Sequence, residues 1–161
     1  MKIFAATAII ILTATFSSAG GEIAYSNNVI WGVAPSGLAI GIAEPSNTIL
    51  SVYLENRGNT NIYELIQSTA RFILELNGKY YAMADYGGKS SPMPPGKTYG
   101  PFMIDINTFS EIPSLKRESY IDPNASHATF TNGSNRFRLY YKNDMETNGL
   151  APGAEIIYEK K

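Results

Sequence analysis

The side chains able to do chemistry are few. His127 is the only histidine, so a Ser–His nucleophile system would have to use it, and it sits in the turn-like polar run Asn124-Ala125-Ser126-His127. There is no cysteine, which rules out disulfides, thiolate nucleophiles and Cys-bound zinc. With one imidazole and no Asp-x-Asp-x-Asp-Gly loop, a metal would be left with carboxylate and carbonyl oxygens alone. Met83, Met93 and Met103 recur at a regular interval, but they fall in three different local contexts, whereas a copper site wants its thioethers clustered. Fourteen acidic residues are present, and no two are marked out as an acid–base pair for glycoside hydrolysis. The expectation is therefore no catalytic residues, no metal and no cofactor. Asn124-Ala125-Ser126 and Asn132-Gly133-Ser134 fit the N-glycosylation pattern and read equally well as plain Asn/Ser turns.

Binding is the remaining class. Residues 85–100 are dense in Gly, Pro and Ser, and long loops in compact domains are often functional. Tyr86, Lys89 and Met93 in this loop are the candidate contact residues. The chain of 161 residues has a formal net charge of −1, which gives no electrostatic reason to expect nucleic acid or an anionic membrane as partner. Its 11 tyrosines against 7 phenylalanines and 1 tryptophan suit half-buried pleated surfaces, where the ring packs and the hydroxyl reaches water.

The elements that must position these residues are strands. Leu50, Val52 and Leu54 alternate with Ser51, Tyr53 and Glu55, which puts one apolar row on one face of a central core strand, and Asn56-Arg57-Gly58-Asn59 stops it. Leu38, Ile40 and Ile42 alternate with Ala39, Gly41 and Ala43, so the second face of that strand has almost no bulk and should receive a backbone or a large ring such as Trp31. Residues 69–76 place Ala70, Phe72, Leu74 and Leu76 on one face and Arg71, Ile73 and Glu75 on the other. Asn77-Gly78 then makes a type I′ hairpin to residues 79–85, pairing Leu76 with Lys79, Leu74 with Tyr81 and Phe72 with Met83. Pro95-Gly96 leads into a strand bearing Phe102, Ile104 and Ile106. Phe137, Leu139 and Tyr141 point inward, with Arg136, Arg138, Tyr140 and Lys142 outward, and residues 154–159 form the last strand. Residues 59–68 fit either a short helical turn or an irregular strand, and residues 107–119 have room for one short helical turn at 110–112 or 114–118.

Seven or eight one-faced strands with little helix predict an all-β fold, a two-layer antiparallel β-sandwich, in a single domain over residues 20–161. Ahead of it, Met1-Lys2, the apolar run Ile3 to Phe16 and the small residues Ser17-Ser18-Ala19 match a secretory signal peptide cleaved after Ala19. The apolar run is short for the roughly 30 Å of hydrocarbon it would have to span as an anchor. A secreted or periplasmic protein, with no membrane span after cleavage, is expected.

Trp31-Gly32, Gly37-Leu38-x-x-Gly41-Ile42, the strand closing in Asn56-x-Gly58, Pro95-Gly96-Lys97 and Phe137-x-Leu139-x-Tyr141 together resemble the immunoglobulin-like modules of bacterial exported proteins. The resemblance implies that residues 49–56 act as a B-type strand and that Pro95-Gly96 precedes an E-type strand; the Cys…Trp…Cys arrangement of true immunoglobulin domains is lacking. Such modules serve in adhesion, protein contact, protease inhibition or beside enzymes. The function expected is non-enzymatic binding, through loops at one end, of an exported protein or a cell-surface macromolecule. The alternatives are a protease inhibitor of the same fold and a small carbohydrate-binding or hydrolytic sandwich.

Overall fold

The computed structural model describes residues 23–26, 28–43, 45–85, 87–88, 90–116 and 121–161. The expected export segment with its cleavage point at Ala19, and the candidate contacts Tyr86 and Lys89, lie outside the described residues.

The described chain is all-β. Its strands are β1 (Ile23–Ser26), β2 (Val29–Val33), β3 (Leu38–Ala43), β4 (Ile49–Asn56), β5 (Ile62–Ile66), β6 (Phe72–Leu76), β7 (Lys79–Ala82), β8 (Ser90–Met93), β9 (Thr98–Asp105), β10 (Ser110–Ile112), β11 (Gly133–Lys142) and β12 (Leu150–Lys160). The only helical pieces among the described residues are two three-residue 3-10 turns, Thr69–Arg71 and Ile106–Thr108. One five-stranded sheet runs β1-β2-β3-β4-β9, another runs β10-β7-β6-β11-β12, and β5 pairs with β8 in a separate ribbon. Every pairing is antiparallel. No helix of the described residues is long and apolar enough to cross a membrane.

The alternation in β4 does what its period of two dictates. Leu50, Val52 and Leu54 are completely buried, while Ser51, Tyr53 and Glu55 are half-buried on the other face. Leu38, Ile40 and Ile42 of β3 lie in the same core, opposite Phe72, Leu74, Leu76, Phe137, Leu139 and Tyr141 of the second sheet. Both five-stranded sheets thus close over one apolar core, an arrangement consistent with a β-sandwich. Burying each such Leu or Ile contributes about 2 kcal/mol.

The bare face of β3 is filled as its composition requires. Trp31 pairs with Gly41 across β2 and β3, and its ring lies so close that a Cβ on Gly41 would stand 2.7 Å from it. The Arg57 guanidinium sits over the same ring, 4.5 Å from its centroid, and Glu55 holds Arg57 at 2.9 Å. Trp31 is left only 6% exposed although it lies on the outer side of its sheet. A closer approach occurs at Gly32, where a Cβ would meet the backbone nitrogen of Ala154 at 2.2 Å, so β2 and β12 touch main chain to main chain.

The Asn77-Gly78 hairpin has the expected register, Leu76 opposite Lys79 and Leu74 opposite Tyr81, with φ of 51° and 81° at the two turn residues. The third expected rung, Phe72 to Met83, does not form, because β7 ends at Ala82. There are more strands than the seven or eight expected. Residues 59–68 contain β5, and the presumed loop 85–100 contains β8 and the first residues of β9. Residues 107–119 carry β10 where a helical turn at 110–112 was allowed; the 3-10 turn lies earlier, at Ile106–Thr108.

Alternation also misassigns the second sheet's outer face. Ile73, Ala82, Ile112, Tyr140 and Leu150 form a second apolar cluster there, with Leu115 and Ile121 packed against it. Arg71 and Lys142, expected on outward faces, are buried. Arg71 ends a 3-10 turn before β6 begins, so the strand's period does not reach it.

The close approaches order two substitutions. In Gly32→Ala the new methyl meets backbone on both sides of the Gly153–Ala154 bond, whereas in Gly41→Ala it meets a side-chain ring and no main chain of a neighbouring strand at that distance. Urea unfolding should show a loss of about 3 kcal/mol for Gly32→Ala and about 1 kcal/mol for Gly41→Ala.

Candidate functional site

The loops that follow β2, β4, β8 and β11 are fastened to one another by a few polar side chains. Asn56, the last residue of β4, is fully buried. Its Nδ2 donates to the carbonyls of Thr60 (2.8 Å) and Met93 (2.7 Å), and its Oδ1 accepts from the Gly58 N–H at 3.0 Å. Its backbone N–H donates to Lys97 and its carbonyl accepts from Gly96. One side chain therefore ties the turn after β4 to the turn before β9, and a carboxamide suits it because it carries donors and an acceptor together.

The turn at 34–37 joins the same assembly. The Arg57 N–H donates to the Gly37 carbonyl at 2.8 Å, and a Cβ on Gly37 (φ +85°) would stand 2.6 Å from Gly58. On its other side the Ser36 N–H donates to Glu146 Oε1 (3.1 Å), and Asn143 Nδ2 donates to Ser36 Oγ (3.2 Å). Asn143 and Glu146 are themselves buried, so loop 143–149 is anchored from within.

Lys142, one residue earlier, belongs to a buried charge cluster. Lys142 Nζ and Arg71 Nη1 each lie 3.3 Å from Asp85 Oδ2. Arg71 Nη2 donates to the Lys142 carbonyl at 2.9 Å, and the Gly87 N–H donates to Asp85 Oδ1 at 3.0 Å. Tyr141 donates its hydroxyl to the Ile66 carbonyl at 2.6 Å, and burial pushes that phenol up to about 12. Burial likewise pushes the Asp85 carboxyl up, but the Gly87 N–H bond and the two cations outweigh it and hold the group below its usual range. The cluster joins the ends of β11 and β7 to the 3-10 turn before β6.

Of the residues expected to make contacts, Tyr86 and Lys89 lie outside the described residues. Met93 is corrected: it is 0% exposed, in the core beside Ile62 and Leu65, because residues 90–93 form a strand whose period turns it inward. His127 is exposed, and its backbone bridges to Ser110. Among the described residues no three His, Asp or Glu side chains gather at metal-binding distance.

Among the described residues three large apolar side chains are exposed, Tyr63 (63%), Met103 (60%) and Met145 (43%). Met145 lies in the anchored loop 143–149, and Tyr63 follows Ile62, the partner of Met93 across the β5–β8 ribbon. Met145 thus belongs to an anchored loop and Tyr63 to the strand beside the Asn56-tied segment, while Met103 lies on the open face of β9 beside Ser51. Neither Tyr63 nor Met145 was legible as a contact residue, since their exposure depends on which strands pair.

Replacing Asp85 by Asn should cost about 3 kcal/mol in denaturant unfolding at neutral pH, because it leaves Arg71 and Lys142 buried and facing each other. The sign with pH follows from a carboxyl held below its unfolded value. Its contribution is complete above the unfolded pKa of about 3.9 and disappears as pH falls through the lower folded value, so the gap between wild type and Asp85→Asn should close on acidification.

A scan against protein-family models, a search of curated proteins and a search of solved structures each find no match to this chain.

Proposed function

We propose that this chain is an exported, non-enzymatic β-sandwich of immunoglobulin-like architecture that binds a protein or other macromolecule through the loops at its fastened end. Strand order supports the architecture. The neighbours β3-β4-β9 and β7-β6-β11-β12 run in the order of A-B-E and C′-C-F-G in immunoglobulin-type sandwiches. The strand closing in Asn56-Arg57-Gly58 takes the B position and the strand after Pro95-Gly96 the E position, and the two pair with each other. Export, to the periplasm or the medium, rests on the signal-like residues 1–19.

The observation that carries the binding surface is the coincidence of exposed apolar groups with anchored loops. Among the described residues, exposed Met145 lies in loop 143–149, which buried Asn143 and Glu146 anchor, and exposed Tyr63 lies in β5 next to Ile62, whose partner Met93 is tied by Asn56. Fixing a loop before a partner arrives removes the ordering cost of binding, and exposed apolar groups on such a platform are the usual anchors. Loops on a rigid scaffold are where binding residues concentrate.

The test is capture of partners from the exported fraction on immobilised protein, followed by Kd measurement for the partner obtained. Tyr63→Ser with Met145→Ser should weaken binding at least about tenfold, equivalent to roughly 1.4 kcal/mol, with an unchanged unfolding midpoint. Met103→Ser should leave affinity as it is. The reverse pattern would move the surface to the open face of β9, and no change in either would remove both.

A further inference from the structure

Three Asn-Gly steps occur in the described chain, Asn77-Gly78, Asn132-Gly133 and Asn148-Gly149. In each the following residue lacks a Cβ, so its backbone nitrogen can approach the asparagine carboxamide without hindrance. Asparagine is a thermally labile residue for this reason, and the fold leaves the three carboxamides in different states. Asn77 Oδ1 accepts from the Arg136 N–H at 2.9 Å and Nδ2 donates to Asn135 Oδ1 at 3.3 Å. Its own N–H donates to the Arg136 carbonyl, which fixes the turn on β11. Asn148 Oδ1 accepts from the Leu150 N–H at 3.1 Å. The Asn132 carboxamide is exposed and has no hydrogen-bond partner among the described residues.

The backbone around Asn132 points the same way. Gly133 is exposed, and nothing lies within 4 Å of where its Cβ would stand; Gly78 shares that space, and what separates the two steps is the bonded Asn77 carboxamide. Gly133 is also the terminal rung of the β11–β12 ladder, opposite Lys160, and terminal rungs open most often. The buried Asn135 holds the Thr131 and Gly133 carbonyls on either side, which keeps the segment presented as a tip while leaving the Asn132 side chain untouched.

We propose that Asn132 is a site of spontaneous modification in the folded protein, deamidating through a cyclic imide while Asn77 and Asn148 are protected. The Gly133 amide nitrogen, giving up its proton to solvent, attacks Asn132 Cγ. The C–N bond of the ring forms, the bond to the side-chain nitrogen breaks, and that nitrogen leaves as ammonia after taking up a proton. Water then opens the imide at either carbonyl, giving aspartate or isoaspartate. The sum is amide plus water to acid plus ammonia, with no change of oxidation state. The product carries a new negative charge, and the isoaspartate form adds a backbone carbon at the start of β11.

The experiment is incubation of the intact protein at mildly alkaline pH, with peptide mass mapping over time to follow the amide-to-acid mass gain at each of the three steps. A parallel sample is held unfolded in urea. In the folded protein the Asn132 peptide should convert several-fold faster than the Asn77 and Asn148 peptides, and in urea the three should converge. Asn132→Gln should remove the fast-converting peptide from the folded sample without altering the other two. Conversion at Asn77 or Asn148 as fast as at Asn132 in the folded state would overturn the proposal, as would an unreactive Asn132 in a fold whose urea control reacts.

Discussion

The structure depends on one constraint: backbone amides and carbonyls leaving a sheet need partners, and a core that extends under the loops denies them water. An unpaired buried group costs on the order of 1–3 kcal/mol, comparable to the whole contribution of a core leucine. The chain meets this with asparagine. Asn56 serves the turn after β4 and the lead-in to β9; Asn135 serves the bend before β11, accepting from the Thr131 N–H and donating to the Thr131 and Gly133 carbonyls. Both are completely buried, which a carboxamide tolerates only when its donors and acceptor are used. Removing Asn56 would leave the Met93 carbonyl, in the core, without its partner, while removing Asn135 would give the exposed Thr131 and Gly133 groups back to solvent and unfasten the bend they form.

Much of this was legible in residue order. The rows Leu50-Val52-Leu54 and Leu38-Ile40-Ile42 declare their buried faces by period alone, and Asn77-Gly78 fixes the hairpin register because both positions need positive φ. The bulk missing from Ala39, Gly41 and Ala43 points to a ring lying over them, and Trp31 supplies it. In the first two cases the information is local, carried by neighbours one or two residues apart, and in the third the ring lies ten residues away on the adjoining strand.

What stayed hidden depends on pairing between distant segments. Arg71 and Lys142 look like outward residues by alternation, and only the meeting of β6 with β11 buries them on Asp85. Met93 sits in a Gly- and Pro-rich run that reads as loop, and it becomes core because β8 finds β5. The outer face of the second sheet looks half-polar until Ile112, Leu115 and Ile121 cover Ile73 and Tyr140. Asn56 reads as a turn former, correctly, while its three long-range partners at Met93, Gly96 and Lys97 are invisible until β9 lies beside β4.

The Asp85 cluster shows what such hidden contacts contribute. Three charges lie almost out of water, and apolar residues of the same shape often serve stability as well as a buried ion cluster does. Net energy is therefore a poor account of its presence. Its hydrogen bonds reach main chain at three places, the Lys142 carbonyl, the Ala70 carbonyl (3.5 Å from Lys142 Nζ) and the Gly87 N–H. A leucine in place of Arg71 would fill the volume and release the Lys142 carbonyl, and one in place of Lys142 would release the Ala70 carbonyl. What the charges fix is position: the end of β11, the turn before β6 and the exit from β7 are held to one another, and Asn143 and Glu146 carry that constraint on to loop 143–149, next to Lys142. Rigidity at this end is thus built from polar contacts between loops, while rigidity within the sheets comes from the ladder and the core.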